Sequence, residues 1–265
     1  MSASPISIKG VNKIFSTGER EVVALKDIDI EIPSGQFVCL LGPSGCGKST
    51  LLNAVAGFAL PTSGSIVTGG ATVTGPGPDR GMVFQEYALF PWMTVEQNVA
   101  FGLEIKGMDK AAIAPRVLAL LETLGLKDFR SRFPKDLSGG MRQRVAIARV
   151  LALDSPIMLM DEPFGALDAL TRRNLQDELL RIWADLKKTI LFVTHSIEEA
   201  IYLADRIVVM TYRPGTVKRD ILIDLPRLRD PASAEFNALK RELGQLVMEE
   251  QQRHHNDEIR MAAVD

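Results

Sequence analysis

Gly42-Pro43-Ser44-Gly45-Cys46-Gly47-Lys48-Ser49-Thr50 satisfies the phosphate-loop pattern G-x-x-x-x-G-K-[ST] at every fixed position. The residues before it, Phe37-Val38-Cys39-Leu40-Leu41, form a short apolar run bounded by Gly35 and Gly42, which predicts a buried strand. Ser49 to Phe58 predicts a helix. A strand, a glycine-rich loop and a helix start are what such a site needs. The glycines let successive backbone N–H groups turn toward an anion, and the helix N-terminus adds partial positive charge. Lys48 would then reach the β- and γ-phosphates of a nucleotide, and the Ser49 hydroxyl would hold Mg²⁺. The plainer reading is a glycine-rich strand-to-helix turn that happens to carry Lys-Ser.

A second chemical pair follows the apolar run Ile157-Met158-Leu159-Met160, which delivers Asp161 and Glu162 at the carboxyl end of a predicted strand. Adjacent carboxylates suit a division of labour: Asp161 orients water on Mg²⁺ and Glu162 polarises the attacking water. Two solvated carboxylates at a strand end are the alternative. Thr189 to Val193 predicts a further strand that ends in Thr194-His195, and Ser196-Ile197-Glu198-Glu199 has the form of a capping box, fixing His195 at a sharp corner within reach of a γ-phosphate. Leu137-Ser138-Gly139-Gly140-Met141 opens another helix with Ser138 as cap; alone it is merely a cap and a turn.

The remaining chain is organised around these segments. Ile6 to Phe15 and Val22 to Ile32 predict two antiparallel strands joined by Ser16-Thr17-Gly18-Glu19, with clean alternation over Asp27 to Ile32. Phe15 ends the first strand, where it can stack on an adenine ring or belong to the core. Thr62 to Pro78 predicts short strands joined by turns. Met82-Val83-Phe84 leads into Gln85 and the aromatic run Tyr87 to Trp92, a candidate docking surface. Thr94 caps a helix with Val95, Val99 and Leu103 on one face. Another helix spans Ala111 to Leu124, with Pro115 near its first turn and Gly125 ending it. Gly165-Ala166-Leu167-Asp168 precedes an amphipathic helix, Ala169 to Leu186, with Leu175, Leu179, Trp183 and Leu186 along one face. Strands Arg206 to Met210 and Val217 to Ile223 flank the Arg213-Pro214-Gly215 turn. A tail helix carrying Phe236, Leu239, Leu243 and Leu246 then trails into polar residues and a solvated His254-His255 pair, to which no metal is assigned.

Composition narrows the function classes. A net charge of -2 gives no global basic field for holding a nucleic-acid backbone. Two cysteines, Cys39 and Cys46, are too few and too central for a secreted disulfide framework, which points to a reducing cytosol. No secretory signal is visible at the N-terminus, and no stretch approaches the roughly 18 uninterrupted apolar residues of a membrane-spanning helix.

Taken together in order, these motifs resemble the nucleotide-binding subunit of an ABC transporter, over Ile6 to Ile223. The resemblance implies an α/β fold: a P-loop NTPase core with a mainly parallel sheet, an N-terminal antiparallel β-subdomain and an α-helical subdomain at about residues 94–150. The domain would occupy residues 1–230, and residues 231–265 would be a C-terminal helix and polar tail. By the same resemblance Gly42, Pro43, Ser44, Gly45, Cys46, Gly47, Lys48, Ser49 and Thr50 are the Walker A loop around ATP, with Phe15 on its base. Gln85 is the Q-loop glutamine and, with Ser49 and Asp161, a Mg²⁺ ligand. Ser138, Gly139 and Gly140 belong to the signature motif, Glu162 is the catalytic glutamate, Asp168 belongs to the D-loop and His195 is the switch histidine. Lys48, Gln85, Glu162 and His195 form the catalytic set. The family commonly has Gln where this chain has Met141, which leaves Ser138 and Gly140 as γ-phosphate donors and removes a polar side chain.

The implied partners are a second copy of the chain, paired head to tail so that each ATP lies between Walker A of one copy and the signature of the other. Permease subunits would dock near Tyr87 to Trp92 and, less directly, a solute-binding protein would feed them. The implied location is peripheral, on the cytoplasmic face of the inner membrane. Gly75 to Gly81, Leu89 to Trp92 and Tyr212 to Gly215 resemble ATPases of nitrate, sulfonate and taurine importers. Competing readings are an ABC-type ATPase acting on nucleic acid and a P-loop small-molecule kinase. The first lacks coiled-coil insertions or a basic face, and the second leaves Ser138-Gly139-Gly140 and His195 without a role.

Overall fold

A computed structural model of the chain describes residues 4–18 and 20–262. In chain order the elements are β1 (Ile6–Thr17), β2 (Arg20–Ile32), β3 (Phe37–Leu41), α1 (Lys48–Ala56), β4 (Ser63–Thr68), β5 (Ala71–Thr72) and β6 (Arg80–Val83). There follow α2 (Val95–Ile105), α3 (Lys110–Thr123), α4 (Gly139–Ala152), β7 (Ile157–Asp161) and α5 (Ala169–Leu186). The chain closes with β8 (Thr189–Thr194), α6 (Ile197–Leu203), β9 (Arg206–Met210), β10 (Val217–Leu222) and α7 (Ala234–Ala262). The architecture is mixed α/β, as the sequence predicts. The chain folds as two compact units, one spanning Pro78–Lys188 and the other residues 4–77 together with 189–262.

In the larger unit, β2, β1, β4 and β5 form an antiparallel sheet in that order. The alternation over Asp27 to Ile32 has its expected effect: Ile28, Ile30 and Ile32 are buried while Asp27, Asp29 and Glu31 face solvent. The predicted loop between these strands is tighter than expected, because β1 runs to Thr17 and β2 begins at Arg20; Glu19 lies outside the described residues. A second set of strands carries the phosphate loop. There β3 lies parallel to β8 on one side and β9 on the other, with β10 antiparallel to β9. All five residues of β3 are buried, as a strand covered on both faces requires. Phe37 of β3 packs on Phe192 of β8 with ring centroids 5.7 Å apart.

The smaller unit pairs β6 with β7 in parallel and surrounds a helical core. Val95, Val99 and Leu103 of α2, Ile113, Val117 and Leu121 of α3, and Val145 and Ala148 of α4 share one buried cluster. The start of α2 has a complete capping box, in which Thr94 Oγ1 accepts from Gln97 N and Gln97 Oε1 accepts from Thr94 N. Helix α3 begins at Lys110 under an Asp109 cap, which places Pro115 beyond the first turn. On α5, Leu175, Leu179 and Trp183 are buried, but Leu186 at the helix end is exposed.

Beyond α5, Lys188 is buried, and its ammonium donates to Asp154 Oδ1 and to the Ser155 carbonyl, both at 2.8 Å. That ammonium holds the Asp154 carboxyl below its ordinary range. A carboxyl with a depressed folded pKa stabilises the fold above its unfolded pKa of about 3.9 and loses that contribution as pH falls through the lower folded value. Asp154→Asn is therefore expected to lower the melting temperature by about 2–4 °C at pH 7. At pH 3 the difference from wild type should shrink, which thermal unfolding at the two pH values will read.

The C-terminal segment departs most from expectation. Helix α7 continues to Ala262, well past the Phe236 to Leu246 stripe that predicts it. Its inward stripe passes from Phe236, Leu243 and Val247 to Glu250, which is fully buried and accepts from Tyr212 N at 2.9 Å and Lys218 Nζ at 2.7 Å. His254 is half-buried and meets the Tyr212 ring edge-on, centroids 4.1 Å apart, so it is packed rather than solvated.

Candidate functional site

In the larger unit, β3 delivers the loop Gly42–Gly47 and α1 leaves it. Gly47 is the N-cap of α1 at φ 96° and no side chain caps the helix, so its first turn points N–H donors at the loop. A Cβ at Gly47 would lie 2.8 Å from Leu25 Cδ2 and 3.0 Å from the Ala24 carbonyl. Glycine is thus required twice there, for backbone angle and for space. Lys48 is buried, and its ammonium donates to the Gly42 and Pro43 carbonyls at 2.8 and 2.9 Å and lies 3.6 Å from Cys46 Sγ. Burial pushes the Cys46 thiol up, so it sits beside that ammonium as a neutral thiol. Ser44, Gly45 and Ser49 are exposed and Thr50 is half-buried.

Two residues that support this loop escaped the sequence reading. Arg213 Nε donates to the Gly45 carbonyl at 3.3 Å, and Gly215 is held between Ala24 and Lys26 by backbone hydrogen bonds. A Cβ at Gly215 would fall 2.3 Å from the Cys46 carbonyl. The predicted Arg213-Pro214-Gly215 turn thus braces the phosphate loop. Only the turn itself was legible, because its partners lie about 170 residues away.

His195 follows β8 and is exposed. Half of the predicted capping box fixes its corner: Ser196 Oγ accepts from Glu199 N, while Ser196 N donates to Thr194 Oγ1. Phe15 is also exposed, and the Lys13 ammonium lies 5.1 Å from its ring centroid.

The smaller unit holds the other predicted site residues. Asp161 ends β7 half-buried, and Glu162 follows it in the left-handed region at φ 42°. A non-glycine residue there costs about 1–3 kcal/mol, which is the kind of strain kept where a side chain must be aimed. The Glu162 carbonyl accepts from Gly165 N at 3.2 Å, closing the tight turn that follows. Asp168 caps α5 by accepting from Thr171 N at 3.0 Å, and that backbone N–H holds its carboxyl below the ordinary range.

Gln85 is exposed just after β6. Ser138 caps α4, accepting from Met141 N at 3.3 Å. Gly139 and Gly140 form the first turn, and Gly140 is buried against Thr171 and Leu175. Met141 packs on the helical core cluster, which gives its apolar side chain a structural place.

The donor set suits a magnesium nucleotide. The loop offers uncapped helix N–H groups and an ammonium for phosphate oxygens, and each of Ser49, Gln85 and Asp161 carries the kind of oxygen donor a hard cation takes. Among the described residues no group of three or more His, Cys, Asp and Glu could hold a metal ion.

Comparison with known proteins places this arrangement. The profile of the ABC transporter family matches residues 25–165. The chain is 48% identical over 237 residues to the nitrate import ATP-binding protein of Synechocystis sp., covering 89% of each chain. It is 45% identical over 238 residues to an aliphatic sulfonates import ATP-binding protein of Bacillus licheniformis, covering 90% of this chain and 92% of that one. Among solved structures, a dimeric post-hydrolysis ATP-binding cassette bound to ADP and Pi superposes with a TM-score of 0.74 at 34% identity, covering 83% of this chain and all of that one. The chain belongs to the ABC transporter family and is an ATPase of it.

Proposed function

We propose that the chain is the ATP-hydrolysing subunit of an importer for a small anion such as nitrate, a sulfonate or taurine. The observation that carries this reading is the likeness to nitrate and sulfonate import subunits along nearly the whole chain, joined to a braced phosphate loop and a strained Glu162 after β7. Lys48 and the first N–H groups of α1 bind the triphosphate, and Phe15 bears on the base. Glu162 accepts a proton from the attacking water as its oxygen approaches the γ-phosphorus, and His195 orients the γ-phosphate. Ser49, Gln85 and Asp161 would hold Mg²⁺, whose charge would offset that of the phosphates.

Two copies share each nucleotide, Ser138 and Gly140 of one lying on the γ-phosphate bound by the other. The dimeric state of the solved cassette supports this arrangement. Among the described residues no helix is long and apolar enough to cross a membrane, so permease subunits must supply the pathway. The chain works peripherally on the cytoplasmic face, with permeases seated near Tyr87 to Trp92, where Trp92 is 69% exposed. A solute-binding protein delivers the anion.

Vesicles carrying the chain with its copurified permease should take up one of these anions only when ATP is supplied on the chain's side. Uptake should cease when Lys48 is replaced by Ala. ATP-independent uptake, or none of any candidate anion, would contradict the proposal.

A further inference from the structure

The loop leaving β6 contains two consecutive non-glycine residues in the left-handed region, Tyr87 at φ 63° and Ala88 at φ 48°. Such a pair is unfavourable for L-residues and persists only where its surroundings impose it. The turn's own hydrogen bonds, Tyr87 N to the Phe84 carbonyl and Ala88 N to the Glu86 carbonyl, do not relieve it. The turn's Tyr87 and Ala88 carbonyls are met by a side chain of α4. Arg149 donates from Nη1 to the Ala88 carbonyl at 2.7 Å and from Nη2 to the Tyr87 carbonyl at 3.2 Å, and its guanidinium lies 5.7 Å from the Phe90 ring centroid. Burial lowers its pKa, as expected of a cation held against carbonyls and an aromatic ring rather than water.

The same helix reaches the turn at its other end. Arg142 lies over the Tyr87 ring at 5.5 Å, and a Cβ at Gly139 would come within 3.3 Å of Tyr87 Oη. The later half of the loop is fixed separately by buried Asn98, which accepts from Phe90 N and donates to the Phe90, Met93 and Thr94 carbonyls.

We propose that Arg149 is a positioning residue for hydrolysis: by forking onto the Tyr87 and Ala88 carbonyls it holds the strained turn that aims Gln85, and it ties that turn to the helix that begins at Ser138–Gly140. The fork geometry suits two adjacent carbonyls, which a lysine would satisfy less well. The inference rests on the ATPase reading above.

The test is steady-state hydrolysis of MgATP by the full chain, with amide hydrogen exchange over residues 85–90. Arg149→Ala should lower kcat about tenfold with KM for ATP unchanged within about twofold, since displacement of a positioning loop acts on the reaction rather than on binding. Exchange over residues 85–90 should quicken, and Arg149→Lys should fall between the two. Adding Ala88→Gly to Arg149→Ala should recover about two- to fivefold of the loss, because glycine adopts φ 48° without Cβ strain. That rescue separates turn-holding from a general packing role. Wild-type kcat and exchange in Arg149→Ala, a loss confined to KM, or a loss that Ala88→Gly does not relieve would each overturn the inference. Absence of ATP hydrolysis by the wild-type chain would instead overturn the ATPase reading, leaving the exchange measurement to decide the role of Arg149.

Discussion

Glu162→Gln is expected to leave ATP binding intact and to slow hydrolysis by about 10²–10⁴-fold. The amide is nearly the same size as the carboxylate, so the tight turn closed by Gly165 N on the Glu162 carbonyl should persist. On the proposed mechanism, what is lost is the group that accepts the proton of the attacking water. Asp161, one residue earlier at the end of β7, is the proposed Mg²⁺ ligand. Nucleotide affinity measured by equilibrium titration should stay within about threefold of wild type while single-turnover hydrolysis collapses. Unchanged turnover would remove Glu162 from the mechanism.

The second large effect is expected at the phosphate loop. Gly47→Ala forces an L-residue to adopt φ 96° and drives its Cβ against Leu25 and the Ala24 carbonyl. The backbone strain alone is worth about 1–3 kcal/mol. Because the loop is held from several sides, the strain is relieved most readily by opening the loop itself. Affinity for MgATP should then fall about 10- to 100-fold, at 1.4 kcal/mol per factor of ten. Gly215→Ala should act in the same direction from outside the loop, its Cβ pressing on the Cys46 carbonyl at 2.3 Å. An unchanged dissociation constant in Gly47→Ala would show that the loop does not hold the phosphates.

How much of this was legible in the sequence depends on the range of the contacts. The phosphate loop's strand and helix, the strand ending at Asp161, and the caps Thr94 and Ser196 are each written in fewer than ten consecutive residues, and they fold as read. The brace on Gly45 comes from Arg213, and the latch on Tyr87 and Ala88 from Arg149, separated by 168 and 61–62 residues. In a single sequence an arginine on a helix reads as a solvated charge, and nothing local says whose carbonyl it meets.

Helix α7 was cut short for a related reason. Its buried stripe passes from Val247 to Glu250 and His254, residues that register as polar until their partners Tyr212 and Lys218 are known. Pro115 misled in the opposite direction. Proline is expected in a first turn, and here it lies inside α3, whose buried Ile113, Val117 and Leu121 hold the helix together across it.

The account rests most heavily on the claim that one copy of the chain holds only half of each catalytic site. Sedimentation of the Glu162→Gln protein with and without MgATP tests it most directly, because slow hydrolysis lets the nucleotide-bound state persist. The account predicts a shift from monomer to dimer on adding MgATP, reversed by removing nucleotide and absent when Ser138 and Gly140 are replaced by bulky residues. A protein that binds MgATP tightly yet stays monomeric at every concentration would contradict it.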